Sequence, residues 1–465
     1  MPPTTALLWY RRDLRVHDHP GLRHAIERFE RVIPVFVVDD AILRGRWPSP
    51  NRWWFLARAL ASLRGELETR GGRLVVVRGD PAEWIPRLAR DLGASTVVAS
   101  RDSTPFGRGR DEVVAGELRR AGVDWVAGRG VLAHEPEEVV RDGGGAFHVF
   151  SPFHRRWLEQ PLRPVLEAPS TIPTGAVADA LLGDPVELLG DPRPTADEGL
   201  LLEPSEAAAR DRLSRWARSV ELRDYDRGRD RLDLAGTSRL SQDLRWGLLS
   251  PGEVLAGCDG DGAGPARFRS ELAWRDFYAH LLWHEPRVAR SSFRSELDGV
   301  GSPAATAADD LDAWREGRTG YPVVDAAMRQ LRASGWMHNR ARMIVASFLT
   351  KHLLTDWRVG EQHFMEHLVD GDPASNNGGW QWAASTGTDP QPYFRIFNPT
   401  LQGLRHDPNG DYVRRWVPEL RSIAGPAVHE PPTGAYLRPI VEHRAARVAA
   451  LEAYERGSRS RSTGR

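Results

Sequence analysis

Five short apolar runs, rich in branched residues, alternate with helical patterns near the start of this 465-residue chain. The strands of a parallel sheet covered by helices on both faces are continuously apolar, because both of their sides are buried. This alternation therefore restricts the N-terminal part to an α/β, doubly wound architecture with a parallel sheet. The predicted strands cover 6–10, 32–38, 74–77, 96–99 and 125–126, and helical patterns at 52–69 and 111–121 lie between them.

Strand signals end beyond this region. Residues 143–200 are rich in Pro and Gly and show little periodicity, which is typical of a connector between domains. From there on helical periods dominate, so the second half is predicted to be all-α. The predicted organisation is an α/β domain over 1–131, a linker over 132–202, an all-α domain over 203–456 and a disordered tail over 457–465, with the clearest helical periods at 207–220, 265–282, 321–334, 336–354 and 360–369.

Charge and cysteine content restrict the partners and the compartment. The 63 Lys+Arg are balanced by 63 Asp+Glu, so a nucleic-acid partner would have to meet a local basic patch. One candidate is 329–342, which holds four Arg and no acid, although a solvated face has the same pattern. The single Cys258 excludes a disulfide framework, and neither a long apolar run nor a signal-peptide pattern is present. We therefore expect a cytoplasmic protein without a membrane partner.

Two segments carry polar residues in patterns that suit a binding site. Neither a dinucleotide fingerprint nor a P-loop follows a strand, so phosphate binding would need another element. Residues 236–241 place three hydroxyl side chains and one Arg before a helical stretch, which fits either phosphate contacts or ordinary helix capping. Glu271, Trp274, Arg275 and Tyr278 share one helix face by their i, i+3, i+4 and i+7 spacing. That face is either solvated or the wall of a site.

Tryptophan is unusually abundant, with 17 Trp against 8 Tyr. The densest segment, 370–382, combines two Trp with two Asn and three Gly. Glycines allow the backbone to approach a flat heterocycle closely, and amides can read its edges. From the residues alone we predict an aromatic pocket, and the pattern leaves open a nucleotide-binding α/β domain fused to a helical scaffold.

At this point the sequence is identified as similar to the DNA photolyase/cryptochrome family, and it most resembles the microbial class I enzymes that repair cyclobutane pyrimidine dimers. The resemblance extends from Leu8-Trp-Tyr-Arg-Arg-Asp-Leu-Arg-Val-His-Asp18 to Ile440-Val-Glu-His-Arg-Ala-Ala-Arg447. It is long and uninterrupted over 314–399, which makes it far more specific than the short motifs.

The resemblance implies an FAD bound in a bent conformation in the helical domain. The positions that match its pyrophosphate and ribose contacts are Tyr225, Thr237, Ser238, Arg239, Leu240 and Ser241. Those that match the lining of the flavin or of the pocket above it are Phe268, Glu271, Arg275, Asn339, Arg342, Asp370, Asp372 and Asn376. Phe268 departs from the Trp often found there. Pairing of Arg342 with Asp370 would suit a reduced, anionic flavin, because a fixed cation stabilises nearby negative charge.

The activity that the resemblance implies is light-driven repair of UV-damaged DNA. The dimer is flipped out of the duplex, and an electron from excited, reduced FAD splits it. The implied catalytic positions are Glu271, Asn376, Trp357 and Trp380. The implied contacts with DNA or substrate are Arg229, Trp274, Arg275, Asn339, Arg340, Met343, Trp382 and Gln402. We expect a monomer without an obligate protein partner.

Two features depart from the family pattern or leave it open. The family's electron relay has three Trp; Trp380 and Trp357 match the inner two, but the outer position falls on Ala304. We therefore expect slow photoreduction of FAD, or an exit through another aromatic such as Trp314. The second feature is the antenna site around Asp102, whose segment resembles the type that binds 8-hydroxy-5-deazaflavin; folate, FMN and an empty pocket are the less favoured alternatives.

The main alternative is a cryptochrome-like blue-light photoreceptor without repair activity. Asn376 matches the residue that faces flavin N5, where repair enzymes carry Asn and plant cryptochromes carry Asp. Asn339 and Met343 stand where enzymes acting on (6-4) photoproducts carry two His. These matches, and a sequence beyond Glu442 without a long signalling extension, favour dimer repair. A light-independent oxidoreductase would need a nicotinamide site, for which no fingerprint exists.

Overall fold

The computed structural model describes residues 4–301, 307–390 and 392–459. Its N-terminal part contains a five-stranded sheet in the order β3-β2-β1-β4-β5, and every neighbouring pair is parallel. The strands are β1 (Thr5–Tyr10), β2 (Arg31–Asp39), β3 (Val75–Gly79), β4 (Thr96–Ser100) and β5 (Asp124–Gly128). Each predicted strand is present with its ends shifted by at most two residues; four strands include the whole predicted range and extend beyond it, whereas β3 begins one residue later and ends two residues later than predicted. The inner strands are buried on both faces, as the continuous apolar runs require.

Helices fill the connections and the rest of the chain. The first seven are α1 (Pro20–Arg28), α2 (Asp40–Leu43), α3 (Pro50–Glu68), α4 (Pro81–Asp91), α5 (Pro105–Arg120), α6 (Phe150–Glu159) and α7 (Pro185–Leu188). The next seven are α8 (Glu206–Ala217), α9 (Val220–Arg223), α10 (Tyr225–Gly228), α11 (Ser241–Trp246), α12 (Pro251–Gly257), α13 (Ala263–His284) and α14 (Ala308–Glu316). The last seven are α15 (Pro322–Ser334), α16 (Asn339–Ser347), α17 (Trp357–His367), α18 (Pro373–Ala383), α19 (Pro399–His406), α20 (Asp411–Trp416) and α21 (His443–Arg459).

Local sequence signals explain many helix ends. Pro105 occupies the first turn of α5, and Gly107 N–H donates to Thr104 Oγ1 (3.0 Å). At its C-terminal end, α15 stops at Gly335, whose φ of +61° an L side chain rarely adopts. The helix predicted over 336–354 is shorter and divided, because His338 caps α16 and a π-helical turn, Phe348–His352, follows that helix.

The predicted linker holds more structure than its composition indicates. Helix α6 lies inside it and packs against α13, with the Phe153 and Phe277 rings 5.1 Å apart. The apolar face of α6 consists of aromatic residues in a segment rich in Pro and Gly. Because of that composition, its helical period is not recognisable in the sequence. The predicted disordered tail is wrong at its beginning, because α21 continues to Arg459; residues 460–465 lie outside the described residues.

The sheet and the helices share a continuous core. A cluster of buried side chains extends from Tyr10 and Phe36 in the sheet to Phe268 in α13. Phe55 of α3 stacks on Trp246 of α11 with ring centroids 6.0 Å apart. This packing fixes the helical region against the carboxyl ends of the strands, where ligands of open α/β sheets bind. In the described part of the chain, no helix combines the length and apolar character needed to cross a membrane.

Candidate active site

A cavity of about 440 Å³ opens among α10, α11, α13, α16 and α18. It brings together residues that lie up to about 150 positions apart in the chain. The predicted site residues that line it are Tyr225, Arg229, Ser238, Leu240, Ser241, Phe268, Glu271, Trp274, Arg275, Asn339, Arg342, Met343, Asp370, Asp372, Asn376, Trp380 and Trp382.

One wall of the cavity is a face of α13. Glu271, Trp274, Arg275 and Tyr278 all line the cavity, so this polar and aromatic stripe is a wall and not a solvated surface. Phe150 of α6 stacks on Trp274 with ring centroids 3.8 Å apart and planes 8° from parallel. That stacking holds the indole from behind and fixes its plane at the cavity.

Glu271 is held by two guanidinium groups. Arg229 donates a hydrogen bond to Glu271 Oε1, and Arg267 Nη2 lies 3.2 Å from the same oxygen. Burial lowers the pKa of Arg229, but Glu271, Tyr225 and Asp230 together outweigh burial and raise that pKa above its usual value. The carboxylate therefore enters the cavity as an oriented anion with its second oxygen outside these contacts.

Arg275 is a half-buried residue of the same wall. Its Nη1 donates to the Val131 carbonyl oxygen (2.9 Å), and its Nη2 donates to the Leu244 carbonyl oxygen (3.3 Å). Burial lowers the pKa of this guanidinium from its usual value. Arg275 thus brings positive charge to the cavity while tying α13 to α11 and to the segment after β5.

The predicted ion pair between Arg342 and Asp370 is present. Arg342 Nη2 donates to Asp370 Oδ2 (2.7 Å), and its Nε donates to the Met337 carbonyl oxygen (2.8 Å). Asp370 Oδ1 is buried and has no hydrogen-bond partner within the described ranges of the chain. The pair therefore places a fixed cation beside Asp370 Oδ1, an acceptor to which a bound ligand would donate.

Asp372 caps α18, pairs with Arg12 and interacts with the charges of two further arginines. Its Oδ1 accepts from Ser375 N–H (2.9 Å), and Arg12 donates to its Oδ2. Burial raises the pKa of Asp372, but the charges of Arg12, Arg245 and Arg275 outweigh burial and lower the pKa below its usual range. Asp372 is therefore ionised and anchors α18 to the loop after β1.

Asn376 and Trp380 follow on α18. Asn376 Nδ2 donates to the Glu361 carbonyl oxygen (3.0 Å), which orients the amide at the cavity wall. Trp380 is 2% exposed, and its ring contacts Phe364 and Trp314 with centroids 4.9 and 6.2 Å away. Gly360 makes this packing possible, because a Cβ at that position would overlap the Trp380 ring.

The turn before α11 contributes backbone and hydroxyl groups. Leu240 N–H donates to Ser238 Oγ (3.4 Å), and Trp336 Nε1 donates to Ser241 Oγ (3.3 Å). Arg239 takes a φ of +54° and its guanidinium lies 4.6 Å from the Trp336 ring centre. Arg239 and Thr237 stand beside the cavity and do not line it, while Ser238, Leu240 and Ser241 do.

Three further predicted residues lie outside the cavity. Arg340 pairs with Asp230 through Nη2 (2.7 Å to Oδ2), and Gln402 is a half-buried residue of α19. Trp357 is buried at the start of α17, where its Nε1 donates to Ser292 Oγ (3.1 Å). Ala304, where the outer relay Trp was expected, lies outside the described residues.

Several cavity residues carried no signal in the sequence that would mark them as a site. Arg245 and Arg267 line the cavity but stand in ordinary helical contexts, and Ser375 lies in the 370–382 segment without being predicted as a site residue. Arg245 is half-buried, its Nε donates to the Gly371 carbonyl oxygen (2.8 Å), and desolvation of the guanidinium lowers its pKa well below the usual value. Arg245 becomes a cavity residue only because α11 packs against the segment before α18.

A second cavity, of about 610 Å³, lies at the carboxyl ends of β1, β2 and β4. Asp102 lines it together with Arg11, Arg12 and Arg110. Burial raises the pKa of Asp102, but the charges of Arg12, Arg110 and Arg11 and a hydrogen bond from Thr104 N–H together outweigh burial and lower it. Arg245 lines both cavities, so the two sites are separated by a shared wall.

The fold and the site define a protein with a parallel-sheet domain, a helical domain and an aromatic, charge-lined cavity in the latter. Residues 6–172 match the family model described as DNA photolyase, and residues 268–456 match the model described as the FAD binding domain of DNA photolyase. The chain belongs to the DNA photolyase family.

Individual relatives agree with this assignment. A deoxyribodipyrimidine photo-lyase of Streptomyces griseus is 42% identical over 436 residues, covering 92% of each chain. The solved structure of a bacterial class III photolyase from Agrobacterium tumefaciens is 36% identical with a TM-score of 0.91, and 98% of each chain is covered. An archaeal photolyase from Sulfolobus tokodaii, solved with two FAD molecules, is 30% identical with a TM-score of 0.85, covering 97% of this chain and 100% of that one. The predicted family, fold class and enzyme class, deoxyribodipyrimidine photo-lyase, are confirmed.

The first cavity fits FAD. Arg245 Nη1, Asp370 Oδ1 and Trp380 Nε1 are buried and lack a hydrogen-bond partner among the residues that the structure describes. Buried polar atoms are costly unless they are paired, and FAD carries many donors and acceptors. The aromatic walls suit its flat ring. FAD is therefore the cofactor that the family model and the cavity support.

Proposed function

We propose that this enzyme repairs cyclobutane pyrimidine dimers in DNA, using light and electron transfer from reduced FAD. The observation that carries the proposal is that two indoles, Trp274 and Trp382, share one cavity with Glu271 and Asn376. Flat apolar walls and hydrogen-bonding side chains at their edges suit two linked bases. The names of the relatives support the same activity.

FAD, when bound in its reduced form and excited by light, supplies the electron that splits the dimer. The groups proposed to hold it are the 238–241 turn, Arg275, and the pair of Arg342 with Asp370. The fixed cation of Arg342 stabilises negative charge beside it, and Asp370 keeps the guanidinium in place. Asn376 is oriented by the Glu361 carbonyl, so its remaining amide atoms face the cofactor site.

The lesion is proposed to enter the cavity after it is flipped out of the bound DNA. A dimer stacks and pairs poorly, so flipping it out costs less than flipping intact bases. Trp274 and Trp382 would stack on the two bases, and Met343 would pack against them. Glu271, held by Arg229, would accept a hydrogen bond at a base edge, and closing the cavity with bases excludes water.

Contacts with the DNA backbone are proposed for Arg229, Arg340 and Gln402. Arg340 is the clearest case, because its guanidinium is half-buried and already oriented by Asp230. A DNA phosphate bound here would contact the Arg340 guanidinium together with the Asp230 carboxylate. The molecule has no net charge, so DNA affinity depends on a few such local contacts.

The second cavity is proposed to hold an antenna chromophore, with 8-hydroxy-5-deazaflavin favoured over folate, FMN or a second FAD. Asp102 is an ionised acceptor surrounded by arginines, and Arg245 forms a wall common to both cavities. Mass spectrometry of the chromophores released from the native protein identifies the occupant. Asp102→Asn should lose it while keeping the first FAD, and retention in Asp102→Asn would contradict the role of Asp102.

The test of the main proposal is a repair assay. Duplex DNA with one thymine dimer is incubated with the reduced holoenzyme in light and in darkness, and the restored thymines are counted by chromatography. We expect repair in light only, reduced several-fold in Glu271→Gln and unchanged in Glu419→Gln, which alters a surface carboxylate. Binding of FAD without any repair would instead favour the photoreceptor alternative.

A substrate comparison makes the same assay more specific. DNA carrying a (6-4) photoproduct should remain unrepaired, because Asn339 and Met343 offer no imidazole to donate a proton. Repair of both lesions would contradict the proposed specificity.

We also propose that the enzyme acts as a cytoplasmic monomer. Its only cysteine, Cys258, is buried, and burial raises the pKa of the thiol to about 12, which leaves it unreactive. Two copies are therefore not expected to be joined by a disulfide. Sedimentation of the holoenzyme with and without DNA tests the oligomeric state, and a stable dimer would contradict it.

A further inference from the structure

Three metal-ligating side chains share the last turns of α17, away from both cavities. They are His363, Glu366 and His367, and one potential ligand atom of each lies within 4.8 Å of the other two. The i, i+3 and i+4 spacing places them on one helix face, so the helix itself fixes their arrangement. None of the three is among the residues that line the FAD cavity or the second cavity.

His363 provides a second, independent indication of a ligand. The residue is 7% exposed, and its Nε2 is buried without a hydrogen-bond partner among the described residues. A bound ion would satisfy an atom that is otherwise costly to bury.

The other two side chains present free ligand atoms. His367 Nδ1 lies 2.9 Å from the His363 carbonyl oxygen, and since a carbonyl only accepts, Nδ1 is the donor and Nε2 retains the lone pair. Backbone hydrogen bonds of this kind orient metal-binding imidazoles. Glu366 Oε1 accepts from Gln362 Nε2 (2.8 Å), which leaves Oε2 for an ion.

The ligand set selects the class of ion. Two imidazole nitrogens and one carboxylate suit Zn²⁺ and similar borderline transition ions, whereas Ca²⁺ and Mg²⁺ prefer all-oxygen sites. Arg315 and Arg332 are close enough to His363 to disfavour positive charge there, and Arg52 interacts with Glu366. These cations repel a dication, so Zn²⁺ should bind here more weakly than at a tight structural site.

We propose that His363, Glu366 and His367 form a Zn²⁺-binding site on α17, with water completing the coordination. The site stands beside Trp314, whose ring centroid is 5.3 Å from that of His363. It is separate from the proposed repair function, which requires none of these three residues. An ion held by three side chains on consecutive turns also stabilises the end of α17.

The chain offers a matched control for this proposal. His280 and His284 on α13 have the same i, i+4 spacing, with ring centroids 4.5 Å apart. Among the residues that the structure describes, they do not belong to a group of three potential metal ligands. His284→Gln therefore removes one imidazole from a histidine pair without touching the proposed site.

The test is calorimetric titration of tag-free holoenzyme with ZnCl₂, and separately with MgCl₂. We expect one equivalent of Zn²⁺, no binding of Mg²⁺, and affinity reduced more than tenfold in His367→Gln and in Glu366→Gln, both of which change half-exposed side chains. His284→Gln should bind as the wild type does. Absence of Zn²⁺ binding, or equal binding by His367→Gln, would overturn the proposal, with circular dichroism confirming that each variant is folded.

Spectroscopy with Cu²⁺ identifies the ligands directly. The electron paramagnetic resonance spectrum of one bound Cu²⁺ should show coupling to two imidazole nitrogens, and His367→Gln should show one. A wild-type spectrum without nitrogen coupling would refute the assignment. Light-dependent repair should be equal in His367→Gln and wild type, so failure of this proposal and failure of the proposed function are distinguishable.

Discussion

Arg12 and Asp372 form an ion pair across 360 positions of sequence, and each of them belongs to a different cavity. Arg12 follows β1 and lines the second cavity, whereas Asp372 begins α18 and lines the FAD cavity. Both side chains are largely buried, so the pair joins the sheet to the helical region in a place of low solvent screening.

Asp372→Asn isolates the charge of this pair from its capping role, because Asn also caps helices well. Removing the Asp372 charge takes away the ion-pair partner of the largely buried Arg12, and we expect the free energy of unfolding to fall by ~3–5 kcal/mol. Urea denaturation of the holoenzyme measures the loss. Asp211→Asn, which breaks an exposed pair with Arg215, should cost less than about 1 kcal/mol; equal losses in the two variants would contradict the argument.

Trp274→Ala should weaken binding of dimer-containing DNA by about 1–3 kcal/mol, the value of one base stacked on an aromatic ring. Affinity for undamaged DNA should stay the same, because the intact bases remain in the duplex. Fluorescence anisotropy with matched damaged and undamaged duplexes measures both. Trp84→Ala, on α4 and outside both cavities, is the control. A uniform loss of affinity for both duplexes would argue against stacking.

Lys351 is the only lysine of the chain, is fully buried, and donates to Ser385 Oγ (2.8 Å). Burial lowers its pKa from 10.5 to about 6, so the folded protein releases a proton that the unfolded chain keeps. The unfolded state therefore binds more protons between about pH 6 and 10.5, and stability should rise with pH over that window by about 1.4 kcal/mol per unit from this group. Lys351→Met should lack that component of the slope in urea denaturation; an identical slope would refute it.

Trp314 is fully buried and packs on Trp380, so it offers a path for electrons that does not use position 304. We expect Trp314→Phe to slow photoreduction of oxidised FAD, measured by absorbance under steady blue light with an external reductant. Repair by enzyme that is already reduced should be unchanged, because repair does not use the relay. Fast photoreduction in Trp314→Phe together with its loss in Trp357→Phe would show that electrons leave through Trp357 alone.

Arg340→Ala should lower the dependence of DNA binding on salt by about one unit in the slope of log affinity against log salt, if one phosphate is neutralised there. Asp230→Asn should have the opposite effect on affinity, because it frees the Arg340 guanidinium from its carboxylate partner. Titrations at several salt concentrations measure both variants. An unchanged slope in Arg340→Ala would exclude a phosphate contact at this residue.

The basic patch inferred from 329–342 shows how far local sequence can mislead. That segment has no acid, yet Arg329 pairs with Glu419, Arg340 with Asp230 and Arg342 with Asp370. The charges of these arginines are largely compensated by carboxylates that are distant in the chain. Charge patterning describes neighbours in sequence, and it has no information about partners that only folding brings near.

The sequence by itself determined the elements whose signals are local. The strand periods, the doubly wound class and the shared face of Glu271, Trp274 and Arg275 depend on spacing along one strand or helix. Tertiary structure decided the contacts between elements: the ion pair of Arg12 with Asp372, the exposure of Arg245 to both cavities, and the docking of α6 on α13. These contacts join segments that come together only when the whole core packs. The sequence of either segment therefore does not indicate which residue it will contact.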